Sequence, residues 1–322
     1  MTTDAISQHC SGMSPSWLPK GIIFLCKAGS QAYGTNTPTS DLDLRGIAIP
    51  PRDILLGFHR TFEQAQKTGD VDVVIYDFRK FLGLAANCNP NIIEILFTDP
   101  SDWLVTSPEY ELLREHANLF LSRKARHTFY GYALSQLKRI RTHRAWLLNP
   151  PNHKPTREEF GLSISHRAVS KGDMGAYDKL LEEGHQFDEN VMLTLQKEKA
   201  YANALTEWQQ YENWRATRNE ARADLEAKFG YDVKHGMHLV RLIRMAEEIL
   251  TKGQVLVKRP DAQELLEIRK GAWSYDKMIA WAENMEKILD TQAKLSDLPE
   301  QPDMEKLNFL CMRILDMRLR GL

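Results

Sequence analysis

Hydrophobic positions change their spacing about a third of the way along the chain. After a polar start ending at Pro19, the segment Ile22 to Ala28 (IIFLCKA) is apolar but for one lysine and runs directly into Gly29-Ser30. A short continuous apolar run closed by turn residues predicts a buried strand. A loop rich in Thr, Asn and Pro follows, and then LDLRGIAIP, where Leu42, Leu44 and Ile47 predict a second strand stopped by Pro50-Pro51. In DVDVVIYD the alternation is cleaner. Val71, Val73 and Ile75 take one face, and Asp70, Asp72, Val74 and Tyr76 take the other. Phe78, Phe81, Leu82 and Ala85 then recur at helical spacing, with Asp77 placed as an N-cap, and NPNIIEILF reads as another short helix.

From about Glu109 onward there is almost no period-2 alternation. The helical stretches predicted are 109–148, 174–182, 188–229, 233–251, 261–270, 274–290 and 303–319, punctuated by Pro150-Pro151, Gly230, KGQVLVKRPD and DLPEQPD. The pattern therefore predicts an α+β protein. A mixed domain would occupy residues 1–115 and an all-helical domain residues 116–322, the latter forming the opposite wall of a cleft. No internal repeat stands out.

Composition narrows the class. The 322 residues, 43% of them hydrophobic, suffice for real cores, and 42 Lys and Arg against 43 Asp and Glu leave almost no net charge. No global field draws the chain to nucleic acid or an anionic membrane, so a nucleic-acid partner would have to be held locally. Four scattered cysteines without a C-x-x-C pair argue against a zinc knuckle or a disulfide scaffold. With no apolar run near the roughly 20 residues of a membrane span, and no basic, apolar leader in MTTDAISQHC, a cytoplasmic protein without membrane partners is expected.

The candidate chemistry sits in GSQAYGTNTPTSDLDLRG, residues 29–46. On a strand of period 2, Asp41 and Asp43 share a face, and two carboxylates beside a core call for a counter-charge, usually a metal. Asp72 on a neighbouring strand would add a third oxygen ligand for Mg²⁺, although Asp70 and Asp77 compete for that place. Gly29 permits close backbone approach to phosphate, Ser30 adds a hydroxyl donor, and Gly34 shapes the far side of the turn. Thr39-Ser40-Asp41 is also ordinary turn chemistry. The flanking Leu42, Leu44 and Ile47 and the nearby Gly-Ser turn weigh toward a site. Nothing matches G-x-x-x-x-G-K-[ST], which disfavours a P-loop enzyme.

Gly29-Ser30, ten residues, then Asp41-Leu42-Asp43 resembles the signature of the DNA-polymerase-beta-type nucleotidyltransferase superfamily. Residues 76–97, YDVKHGMHLVRLIRMAEEIL, VKRPD and AWSYD further resemble a bacterial and phage group of nucleotidyltransferases, some proposed for RNA repair. The resemblance implies that Gly29 and Ser30 contact a triphosphate and that Asp41, Asp43 and Asp72 bind Mg²⁺ or Mn²⁺. It implies transfer of a nucleoside monophosphate from ATP or another NTP to a hydroxyl, with an RNA or tRNA 3′ end as the expected acceptor. A protein hydroxyl, as in toxin and antitoxin pairs, and a catalytically silent RNA-binding module are the rival readings.

The helical half adds cations. Lys234, His238 and Arg241 form one helical stripe, with Arg244 close by, that would suit phosphate if it faced the acidic site, and a solvated face is the plain alternative. His235 and His238 lack a metal-site partner at familiar spacing. Lys80 and Arg79 follow the Asp72 strand and could reach phosphate, while Asn89, Asn91 and Glu94 follow in NPNIIE, where Asn is as readily a cap as a ligand contact. Residues 120–145 hold seven Lys or Arg, no Asp or Glu, and the aromatics Tyr130 and Tyr132, with Trp146 just beyond. Such a segment suits single-stranded nucleic acid or a charged interface between elements.

Overall fold

A computed structural model of the chain describes residues 2–164, 169, 171–218 and 220–321. His166 and Arg167 lie outside the described residues. In order, the mixed part contains α1 (Thr2–His9), α2 (Leu18–Gly21), β1 (Ile22–Ala28), α3 (Gly29–Tyr33), β2 (Leu42–Ala48), α4 (Arg52–Leu55), β3 (Gln64–Lys67), β4 (Val71–Asp77), α5 (Phe78–Ala86), α6 (Pro90–Leu96) and β5 (Trp103–Val105). Helices follow: α7 (Pro108–Glu115), α8 (Ala125–Leu148), α9 (Lys171–Glu182), α10 (Glu189–Thr217), α11 (Glu220–Phe229), α12 (Val233–Lys252), α13 (Ala262–Arg269), α14 (Tyr275–Leu295) and α15 (Met304–Arg320). The α+β class is as the periodicity predicts.

The five strands form one sheet in the order β3-β4-β2-β1-β5, with β2 parallel to β4 and the other pairs antiparallel. Its faces differ. On one, Leu25, Leu44, Ala48, Val73 and Ile75 pack with Cys10, Met13 and Leu18 from the start of the chain, so the polar opening hides a short helix that covers the sheet. On the other, Phe24 stacks on Tyr110 of α7 at 3.5 Å between ring centroids, and Tyr76 meets Phe81 of α5. Asp77 caps α5 by accepting from the Lys80 N–H at 3.0 Å, and Asn89 caps α6 ahead of Pro90.

Packing groups the chain into two units, Met1–Ile140 with Val233–Leu322 and, by itself, Arg141–Asp232. The shift of period near residue 115 marks the passage from strand to helix, whereas the units follow burial. The first unit holds the sheet, α1 to α7 and α12 to α15. In the second, His143, Trp146, Tyr211 and Trp214 form an aromatic cluster, and Arg157 pairs with the buried Glu198. Among the described residues no helix is long and apolar enough to cross a membrane.

Candidate active site

Two of the acidic positions are strand partners beside the end of β1. Ala28 pairs with Asp43 across the antiparallel ladder, and Asp43 pairs in turn with Asp72 across the parallel one. Partners in register on strands about 4.8 Å apart point to the same face. Like charges so placed repel, and Arg45, two residues along β2 on that face, relieves the repulsion. Its Nη2 donates to Asp43 Oδ1 at 3.2 Å, and its Nη1 donates to the Asp72 and Leu44 carbonyls at 3.1 and 2.8 Å. The Arg45 and Asp43 side chains are 25% and 30% exposed, so water weakens the pair.

Gly29 opens α3 with φ of +58°, a region that side chains other than glycine rarely enter. A Cβ there would stand 2.5 Å from Asp43 Oδ2. Only glycine leaves that oxygen where it is. Ser30 follows on the same turn, its carbonyl accepting from the Thr35 N–H, and Gly34, at φ +71°, ends the helix. Beyond it, Thr37 and Ser40 bond each other's backbone and hydroxyl groups and shape the approach to Asp41.

Above this end of the sheet lies a cleft of about 240 Å³, lined by Gly29, Tyr33, Asp43, Arg45, Val74, Tyr76, Asn91, Glu94, Ile95 and Val257 among others. Its inner wall is ionic. Tyr33 donates to Glu94 at 2.5 Å, Glu94 pairs with Arg241 of α12, and the Arg241 guanidinium stacks on the Tyr33 ring at 3.7 Å. Burial drives the Tyr33 phenol far above its ordinary range, so it stays protonated and serves as the donor. The VKRPD segment joins in. The Arg259 N–H donates to the Tyr33 carbonyl, its guanidinium is held by Glu248 and Asp261, and Val257 reaches the cleft.

The residues singled out from sequence are placed unevenly. Asp43 and Gly29 line the cleft. Asp72 flanks Asp43 on β4, and Asp41 is exposed just before β2. Of the rival third acids, Asp77 is buried as the cap of α5, where burial raises its carboxyl above the ordinary value, and Asp70 is exposed in the bend before β4. Lys80 pairs with Glu63 at 2.9 Å and also bonds Gln64 of the edge strand β3. Lys234 and His238 are half-buried on α12. Burial, with Arg241 and Lys234 nearby, holds the His238 imidazole well below the usual histidine range, hence neutral at pH 7. Arg241 is no free phosphate ligand. It is 5% exposed and committed to Glu94, while Arg244 pairs with Asp261 and Glu264. Tyr130 and Trp146 are buried, the first under Arg126 and the second in the aromatic cluster, so neither offers a surface to a base.

Arg45 and Tyr33 escaped the sequence reading, and Glu94 was singled out without its role in the wall. Arg45 stands two residues after the second aspartate, a spacing that already put it on the acidic face. Glu94 inside NIIEIL was legible only as a charge amid apolar neighbours, and its partner lies 147 positions away.

Residues 8–148 match the model of the RNA repair pathway DNA polymerase beta family. That match takes in the sheet and its acidic face, and over those residues the chain is similar to polymerase-beta-type nucleotidyltransferases associated with RNA repair. Over 121 residues the chain is 30% identical to a protein of Enterobacteria phage T4 described as an uncharacterized 38.9 kDa protein in the nrdC-mobD intergenic region. That match covers 34% of this chain and 35% of the phage protein, so the chain spans about a third of that relative's length. The nucleotidyltransferase family generally uses an NTP and a divalent metal. The donors fit such an ion: oxygen ligands from carboxylates suit a hard cation, and Asp43 Oδ2 occupies room that the missing Gly29 side chain leaves open.

Proposed function

We propose that the protein is a metal-dependent nucleotidyltransferase that moves a nucleoside monophosphate from an NTP, ATP in the first instance, to the 3′ hydroxyl of an RNA. The observation that carries the reading is the meeting of Asp43 and Asp72 in register beside a glycine that a side chain would force against Asp43. Asp41, Asp43 and Asp72 would hold Mg²⁺ or Mn²⁺, which when bound neutralises phosphate charge and lowers the pKa of the attacking hydroxyl. In the reaction an acceptor oxygen forms a bond to the α-phosphorus, and the bond to pyrophosphate breaks.

The chain's own residues supply position and charge. Gly29 lets the backbone approach the β- and γ-phosphates, while Ser30 and the first N–H groups of α3 donate to them. Arg45, loosely paired with Asp43, would turn to a phosphate oxygen once a cation takes over that carboxylate. Tyr33 and Glu94 fix the C-terminal end of α3, and Arg241 acts through them rather than on phosphate.

Total RNA is incubated with each labelled NTP and Mg²⁺, using the wild-type chain and Asp43→Asn. Incorporation from at least one NTP should fall by about 100-fold or more in the variant, the size expected on removing a principal electrostatic group. Equal labelling by both would overturn the reading. Labelling of a protein band with RNA unmodified would replace the acceptor.

A further inference from the structure

Away from the cleft, the first half of α8 borders two hollows that share His127. One, about 550 Å³, is lined by Arg123, Lys124, Arg126, His127 and Lys294, with Asp290 and Glu300 as its acids. The other, about 580 Å³, is lined by Asn87, Asn89, Pro90, Tyr132 and Ser135 among others. Lys124 donates to Asn87 Oδ1 at 3.3 Å, and Asn89 donates to the Tyr132 hydroxyl at 3.3 Å, so side chains from the α5–α6 turn edge the second hollow and reach Lys124 of the first.

The charges there are unequally matched. Arg126 is held by Asp290 at 2.8 Å and by Glu286 at 3.9 Å, so it is a structural cation. Arg123 differs. Its Nε is shielded from solvent and has no hydrogen-bond partner among the described residues, while Lys294 is exposed. An unpaired buried donor costs free energy that an anionic partner would offset. Farther along the helix, Lys138 and Arg139 lie three and four residues past Ser135 and are exposed, so the stripe ends as it begins, in positive charge. From Ala125, next to Lys124, to Lys138 the helix rises about 20 Å. Between them Tyr132 is the exposed ring, flanked by amides that can pair with base edges.

We infer that this groove binds the sugar–phosphate backbone of single-stranded RNA, with phosphates at Arg123, Lys124 and Lys294 and a base stacked on Tyr132. The inference rests on the RNA-acceptor reading above and gives that acceptor a docking surface outside the reaction cleft. Cations spaced along a strip with one open aromatic ring between them suit a polyanion with flat bases better than an acidic peptide, which would have no use for the ring. On a chain with no excess positive charge, such local concentration is what allows a polyanion to be held at all.

The test is fluorescence anisotropy of a labelled single-stranded RNA 12-mer titrated with the full chain at a series of KCl concentrations. For Arg123→Gln/Lys124→Gln/Lys294→Gln, the slope of log affinity against log salt should become shallower by about two, the value for losing three phosphate contacts on a single strand. Tyr132→Ala should weaken binding roughly ten-fold with the slope unchanged. Because Arg123 is partly shielded, Lys124→Gln/Lys294→Gln serves as the variant that spares folding, with a slope change of about half to two thirds as large. ATP affinity in the presence of Mg²⁺, read by calorimetry, should not move in any of them. Wild-type affinity and slope in the lysine pair and in Tyr132→Ala would overturn the inference. So would loss of RNA binding in Asp43→Asn, which would put the RNA in the cleft. RNA held in this groove by a chain that transfers no nucleotide would sink the proposed function and leave the groove standing.

Discussion

Two carboxylate–arginine pairs face the same cleft, and burial separates their roles. Asp43 and Arg45 are neighbours on one strand, a quarter to a third exposed and joined by one bond of 3.2 Å. Glu94 and Arg241 come from α6 and α12, are about 6% exposed, and share a ring contact and a phenol. A wet pair gains about 0–1 kcal/mol and exchanges partners freely, while a dry pair cannot be separated without stranding a charge. The first can therefore serve a ligand. The second holds the inner wall of the cleft in place.

Breaking the dry pair should have the largest effect. Arg241→Met leaves Glu94 buried without its cation and is expected to cost about 3–5 kcal/mol in denaturant unfolding. Glu94→Gln/Arg241→Met should recover much of that loss, since replacing both charges can be nearly neutral. A double variant no more stable than Arg241→Met would show that the pair is not a unit. Gly29→Ala comes next: the positive φ strains alanine and its Cβ meets Asp43 Oδ2, so an unfolding cost of about 1 kcal/mol should accompany a much larger fall in nucleotide transfer. Equal activity in Gly29→Ala would mean that the carboxylate can move without consequence.

His238 sharpens the contrast by pH. Its folded pKa lies well below the unfolded value near 6.5, so the unfolded chain binds the extra proton. Its contribution to stability is present above pH 6.5 and is lost as pH falls below it, at up to about 1.4 kcal/mol per pH unit. Lys234, His235, Arg241 and Arg269 all oppose a charge there. Stability of wild type and His238→Gln compared from pH 7 to pH 5 should diverge; parallel curves would refute the assignment. The smallest effect belongs to the wet pair. Arg45→Gln should shift unfolding by under about 1 kcal/mol, and a loss of 3 kcal/mol or more would erase the distinction between the pairs.

Local pattern carried much of the site. Gly29, Ser30, Asp41, Asp43 and Asp72, the proposed site residues, stood within one strand–turn–strand spacing and one further alternating strand, because groups placed on neighbouring strands leave a short-range trace. The cap at Asp77 was legible for the same reason. Strand β3, Gln64–Lys67, was not, since an edge strand exposed to water needs no apolar alternation. Likewise α1 reads as polar, yet Ala5 and Ile6 pack against the core.

By itself, then, the sequence determined most of the elements, the α+β class and the acidic face of β2, all consequences of spacing over a few residues. Tertiary structure decided which charges are available. Arg241 and Lys124 look alike as basic residues in segments of helical pattern, but the first is placed beside Glu94 in a dry interior and the second at a hollow open to water. Partnership and burial depend on contacts between positions far apart in the chain, and no local period encodes them.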